Sequence, residues 1–250
     1  MGGVLRIKVS NWSCMRNIRW NLVLLPILLF LVNQVNGQYY TYINRGYTEA
    51  HLGVVRPMFD FGKKKGTQLA RHANVGINMG GSASYYYSRQ VAIEFNLNYN
   101  RNGINKQGVA DAYLNLDTLN YLSAKAETGS FQHIMGATGL RFDLAPNEYF
   151  SFVFKMMGGI GMIYKPEGTI NLTTTSGDQK FTETSNLQMV FTLYSSMGTR
   201  IMISEDLDVH LDVAYSGSKV DFAYRRNGID IIENEHIGYL MIQAGVGYAF

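Results

Sequence analysis

From Gln90 to Asn100 the chain alternates strictly. Val91, Ile93, Phe95, Leu97 and Tyr99 share one face; Gln90, Glu94, Asn96, Asn98 and Asn100 share the other, with Ala92 among them. A side-chain period of two marks a strand whose faces meet different surroundings. The final segment, 239–250, behaves likewise. Leu240, Ile242, Ala244, Val246, Tyr248 and Phe250 oppose Tyr239, Met241, Gln243, Gly245, Gly247 and Ala249. Five more alternating segments are legible, over 73–87, 131–144, 149–165, 188–203 and 206–216. In the last of these, Leu207, Val209, Leu211, Val213 and Tyr215 oppose Asp206, Asp208, His210, Asp212 and Ser216. A first strand is expected over 48–61, with its register obscured by Arg56 and Pro57.

These eight strands are joined by connections of alternating length. Tight turns are expected at Ser88-Arg89, Ala145 to Glu148 and Ser204-Glu205. Long links are expected over 62–72, 101–130, 166–187 and 217–236. Short turns at one end and long loops at the other are the layout of an eight-stranded antiparallel up-and-down transmembrane β-barrel, an all-β fold with turns periplasmic and loops outside. A soluble barrel of the lipocalin or streptavidin kind also alternates, and alternation alone does not exclude it. The two differ in which face is the surface. One face here carries glycines and charges of both signs, namely Glu94, Arg141, Asp143, Lys155, Arg200, Asp208 and Asp212, while the opposite face is almost uncharged.

The N-terminal stretch changes the picture of compartment and charge. Met15 to Gly37 has basic Arg16 and Arg19, an apolar run from Leu22 to Val32, and Val35 and Gly37 placed for cleavage before Gln38. This is the plan of a secretory signal peptide, and the run is too short for a membrane-spanning helix, which takes ~20 residues. The expected organisation is a signal over 1–37, with Met15 as a candidate true start, and an outer-membrane β-barrel domain over 38–250. The signal holds Arg6, Lys8, Arg16 and Arg19 and no acidic residue. Its removal leaves 18 basic against 19 acidic residues, so the +3 of the whole chain is no nucleic-acid footprint. The only cysteine, Cys14, leaves with it, and thiolate chemistry and disulfides with the cysteine.

The C-terminal run Gly245-Val246-Gly247-Tyr248-Ala249-Phe250 places Val246, Tyr248 and Phe250 on one outward stripe. That stripe resembles the signal by which the barrel assembly machinery recognises outer-membrane proteins. The mature sequence as a whole is similar to the small bacterial outer-membrane β-barrel family that includes PorT-like and OmpA/OmpX-type barrels. The runs that carry the likeness are Gly76 to Tyr87 leading into Ala92 to Gly103, Leu119-Asn120-Tyr121-Leu122, Gly158 to Tyr164 and the terminal strand. Where PorT-like members often follow Asn-Tyr-Leu with a proline-containing strand, Ser123-Ala124-Lys125 stands here. The resemblance implies the barrel fold and the cell outer membrane, and no particular activity.

Candidate chemistry falls in two places. An eight-stranded barrel is just wide enough for its own side chains. The seven inward charges crowd toward the periplasmic turns, so a plug of ion pairs is expected; a narrow solute path is the alternative. His210 between Asp208 and Asp212, with Ser151 or Ser196 as nucleophile, is the one acid/base arrangement on offer, and a lipid-modifying enzyme is the class it would serve. No metal-ligand spacing, phosphate loop or cofactor motif appears in the sequence. The second place is the outer loops. Lys63, Lys64, Lys65 and Arg71 are candidates for contact with lipopolysaccharide phosphates. Residues 166–187 alternate enough to form an exposed sheet for a partner edge. The expected function is that of a structural or surface-interaction barrel, in adhesion or assembly. Its partners would be outer-membrane lipid, the assembly machinery and a surface protein, with no cofactor and no nucleic acid.

Overall fold

A backbone crossing lipid must satisfy every N–H and C=O within the chain, and only a helix or a closed ring of strands does so. The computed structural model describes residues 46–64, 66–115, 121–145, 149–175, 177–226 and 229–250; the expected signal lies outside them. Its strands are β1 (Gly46–Phe59), β2 (Gly76–Tyr86), β3 (Val91–Asn102), β4 (Tyr121–Thr128), β5 (Phe131–Leu144), β6 (Phe150–Lys165), β7 (Gly168–Thr174), β8 (Gly177–Glu183), β9 (Asn186–Met202), β10 (Leu207–Arg226) and β11 (Ile229–Ala249); among the described residues there are also a short 3-10 turn (Leu69–His72) and one α-helix, α1 (Lys106–Leu114). Eight of the strands form the wall in the order β11-β1-β2-β3-β5-β6-β9-β10, and β10 also pairs with β11, so the ring closes. The closing seam between β1 and β11 runs in register from Tyr47 opposite Ala249 to Phe59 opposite Ile237. Gly46 and Phe250 exchange both backbone hydrogen bonds at 2.9 Å.

The wall decides the question of faces. Leu52 and Val54 on β1, Ile93, Phe95 and Leu97 on β3, Met156 and Ile160 on β6, Phe191 and Leu193 on β9, and Ile242 and Val246 on β11 all stand exposed on the outside. A continuous apolar band around a closed barrel is not a stable surface in water; it is the lipid-facing girdle of a transmembrane barrel of the outer-membrane type. At one end the turns are short. Ser88 Oγ accepts the N–H of Val91, and Ser204 Oγ accepts that of Leu207, so each turn satisfies a backbone donor that the ladder leaves over.

Above the girdle the architecture departs from the sequence-based expectation in three ways. First, 217–236 is not a loop. β10 and β11 run on together to a tip between Arg226 and Ile229. The extension was hidden because the sense of alternation reverses there: Val220, Phe222 and Ile237 face inward and are buried, while Lys219, Asp221 and His236 face out. Water, not lipid, bathes this part of the wall, so the apolar residues turn inside. Second, 101–130 contains α1 and β4. Asn105 caps the helix by accepting the N–H of Gly108 at 3.0 Å, and Val109, Ala110 and Tyr113 are its buried residues. Third, 166–187 folds as the β7–β8 hairpin. β7 pairs with β4 on one side and β8 on the other, and β8 joins the wall at Arg226 opposite Glu183.

An arginine on the lipid face at mid-girdle costs ~2–4 kcal/mol. Leu211, exposed on β10 opposite Thr199 and Ala244, is such a site. Leu211→Arg therefore lowers the yield and stability of refolding into liposomes, whereas Ser82→Ala, on the inner face, changes them by less than ~1 kcal/mol. Equal effects in urea titrations of the two variants would contradict the assignment of faces.

Candidate functional site

Three layers fill the barrel, each set by which residues alternate inward at that height. The lowest is a belt of ions. Arg141 on β5 donates from Nε to Asp143 Oδ1 at 2.8 Å, and from Nη1 to Glu49 Oε2 and Glu94 Oε2 at 3.1 Å each. Lys155, one strand away on β6, pairs with Glu49 and, at 3.0 Å, with Glu94. Arg200 on β9 reaches Asp143 at 3.2 Å and Asp208 at 3.8 Å, and donates to Ser151 Oγ at 3.2 Å. Tyr47 braces the belt: its hydroxyl donates to Asp208 Oδ1 at 3.0 Å, and the Arg141 guanidinium lies 4.3 Å from its ring centre. Tyr86 donates to Asp143, and Ser84 to Glu94 at 2.8 Å.

All seven lumen charges read from the sequence thus face inward, and six share this network. Asp212 stands apart: among the described residues its one ion-pair distance is to His210, at 3.7 Å. The residue missed is Glu49, which lies between Arg141 and Lys155. The signal for it was present. Tyr47, Glu49 and His51 alternate with Thr48, Ala50 and Leu52, and the register of β1 is lost only beyond Val55.

The middle layer is neutral and polar. Asn78 donates to Asn100 Oδ1 at 2.6 Å and Asn98 Oδ1 at 3.2 Å; Gln243 donates to Asn78 Oδ1 at 2.7 Å; His51 Nε2 lies 2.8 Å from Asn98 Oδ1. Tyr194 closes the group by donating to Gln243 Oε1 at 3.3 Å. His210 lies at the border with the belt. Among the described residues neither of its ring nitrogens has a hydrogen-bond partner, so the Ser–His pair that acyl chemistry requires is not formed with Ser151 or Ser196.

The upper layer is apolar. Phe61 packs edge-on against Phe131 and Tyr239, with centroids 5.2 and 5.3 Å apart, and His133 stacks on Tyr239. Phe222, Ile163 and Ile237 complete it, and Leu69, Val109, Tyr113, Ile170 and Leu172 from the loop elements continue it outward as a lid. Two cations pin the lid to the wall through three ion pairs: Lys165 meets Glu183 and Glu233, each at 3.2 Å, and Arg71 meets Glu235 at 3.7 Å. Burial raises the Glu235 carboxyl above its ordinary range, and Arg71 pulls it back.

The loop cations therefore divide. Arg71 serves the fold, Lys65 lies outside the described residues, and Lys63 and Lys64 are exposed. Lys63, paired at 3.5 Å with Asp60, borders a groove of about 740 Å3 on the outer wall together with Lys219 and His236. The floor of the groove is Phe59, Phe191, Leu193 and Tyr215. It exists because Gly217 and Gly238 face each other across β10 and β11; a Cβ on either would strike Tyr215 or Phe59. At the other end, Val246, Tyr248 and Phe250 are all exposed on the lipid side, with Tyr248 and Phe250 stacked.

Removing one member of a buried ion network leaves its partners uncompensated, at a cost of ~3–5 kcal/mol. Arg141→Ala removes one ion pair from each of Glu49, Glu94 and Asp143 and leaves them, among the described cations, only Lys155 and Arg200, so its loss of stability exceeds that of Arg200→Ala, whose side chain is 16% exposed. Urea midpoints of the heat-modifiable folded band in detergent give the order; a wild-type midpoint for Arg141→Ala would refute the network's role.

No protein-family model and no curated protein matches the chain. Among solved structures, it is similar to a major outer membrane protein from Thermus thermophilus (9% identity, TM-score 0.44, 82% of this chain against 99% of that one). It is similar also to Ail, the attachment invasion locus protein of Yersinia pestis (15%, 0.41, 82% against 99%). A third is the outer membrane protein AlkL in DMPC lipid bilayers (11%, 0.40, 87% against 95%). At these levels the likeness is one of barrel architecture and adds no argument about activity.

Proposed function

We propose that the protein is an integral barrel of the cell outer membrane with a closed lumen, acting as a structural or surface-interaction protein in adhesion or assembly. The observation that carries this reading is the filling of the lumen. An ion belt, an amide layer and an aromatic core follow one another, and Arg141, Lys155, Phe61, Phe131 and Tyr239 are each at most 2% exposed. The wall extends past the girdle only to hold a lid, and the β4 edge of that lid, with exposed Leu122, ends the sheet order. Unpaired strand edges are surfaces on which a partner strand can add. The exposed stripe of Val246, Tyr248 and Phe250 suits recognition by the barrel assembly machinery. The finer placement among PorT-like barrels belongs to the same proposal and rests on the sequence runs alone. Purified folded protein in planar bilayers gives no steady conductance on this reading; stable single-channel steps would favour the narrow solute path instead.

The outer groove supports a second element, contact with the outer leaflet. Its aromatic and aliphatic floor suits acyl chains, and Lys63 and Lys219 at its rim suit the phosphates of lipopolysaccharide. A basic residue near an anionic membrane surface contributes ~1 kcal/mol. The double variant Lys63→Glu, Lys219→Glu therefore retains lipopolysaccharide in detergent roughly tenfold less than wild type. Equal retention would remove the groove from the proposal.

A further inference from the structure

The lumen is not electrically balanced. Among the described residues of the belt and the layer above it, five carboxylates (Glu49, Glu94, Asp143, Asp208 and Asp212) face three cations (Arg141, Lys155 and Arg200). With all five carboxylates ionised and the histidines neutral, two negative charges are left over in a space sealed above by apolar side chains. Where the surplus lies, two imidazoles converge. Ligand atoms of Glu49, His51 and His210 lie within 4.8 Å of one another, and all three residues are buried. His210 is 6% exposed and, among the described residues, neither of its ring nitrogens has a hydrogen-bond partner. His51 is 4% exposed and its Nδ1 is also unpartnered, while Nε2 is taken by Asn98. Asp212 stands 3.7 Å from His210 Nε2.

The space between the rings is provided by a glycine. Gly245 on β11 is the register partner of both His51 on β1 and His210 on β10. A Cβ at Gly245 would come within 2.7 Å of the His210 ring, and one at Gly80 within 2.6 Å of His51 Nε2. The Cβ at Gly245 would also come within 2.1 Å of the Ala50 carbonyl oxygen, so any larger residue at 245 would displace the His210 ring and the β1 backbone.

The geometry points to a binding site in the lumen for one divalent transition-metal ion, held by Glu49, His51 and His210, with Asp212 beside it. Imidazole and carboxylate are donors for a borderline cation such as Zn2+. A dication matches the surplus of two negative charges. The Asn98 contact on His51 Nε2 leaves Nδ1 for the metal and holds the ring, as outer partners of ligating histidines do. Glu49 already faces Lys155 and Arg141, but each carboxylate oxygen has a second acceptor position. Ligands of a tetrahedral ion with bonds of ~2 Å lie roughly 3.3 Å apart, so modest rotation of the two imidazoles closes the site. With lid and belt shut, the ion enters as the barrel folds and serves to lock β1 to β10 across β11.

The test uses untagged barrel, refolded with and without zinc chloride, freed of excess metal and analysed for bound zinc and urea midpoint. Wild type retains about one zinc per chain and unfolds at higher urea when refolded with zinc, because a ligand of the folded state alone stabilises it. His51→Ala and His210→Ala lose both effects, while His236→Ala, on the outer wall, keeps them. No retained zinc in wild type, or equal retention by the three variants, overturns the site. If the lumen variants do not fold, cobalt-loaded wild type decides: visible absorption of tetrahedral intensity at one cobalt per chain supports the site, and its absence overturns it.

Discussion

A barrel of eight strands encloses too little water to solvate a charge, so each ion on its inner face must be met by another side chain. That constraint organises the lower half of this protein. Arg141 is the centre of it, because its five donors in a fixed fork can serve three carboxylates at once. Lys155 carries the pairing to the next strand and Arg200 to the strand beyond. The ions that close the lumen therefore also fasten β1, β3, β5, β6, β9 and β10 to one another across it. Breaking one pair in such a network costs more than the network adds, since well-packed apolar residues of similar volume often serve a buried site as well.

The second constraint is the change of solvent along the barrel axis. Within the girdle the outside is lipid and the inside is polar; above it the outside is water and the inside is apolar. Met241 and Gln243 mark the crossover on β11, with Ile237 and Tyr239 buried above them. The upper part is built like a soluble barrel, with its own aromatic core and a lid of α1 and three short strands. A closed apolar core above a filled ionic belt leaves the exterior and the lid as the exposed surfaces. It also makes the Glu49–His51–His210 cluster an enclosed feature of the lumen, independent of whatever the lid contacts.

Much of this was legible in the residues. Alternation in 90–100, 131–144, 149–165 and 188–203 locates four wall strands and the sign of each face. Ser88 and Ser204 mark two turns, and the seven inward charges follow from parity alone. Glu49 and His51 were equally available by parity but lay in the strand whose register Pro57 obscured. The sequence implies a loop where β10 and β11 extend, because their apolar residues switch faces at Gly217 and Gly238, and a change of solvent is not written in a period.

Local sequence determined the strands, the two-faced wall and the set of charges on its inner face, because a side-chain period of two is imposed by the backbone and needs no partner to be read. Tertiary structure decided which charge meets which, that β10 and β11 continue past the membrane, and that Gly245 opens room between His51 and His210. These depend on register across strands far apart in the chain: His51 and His210 come together only because each is opposite the same residue of β11. A one-residue slip in either pairing would turn a whole strand over, and nothing within a single strand says which register its neighbour will take.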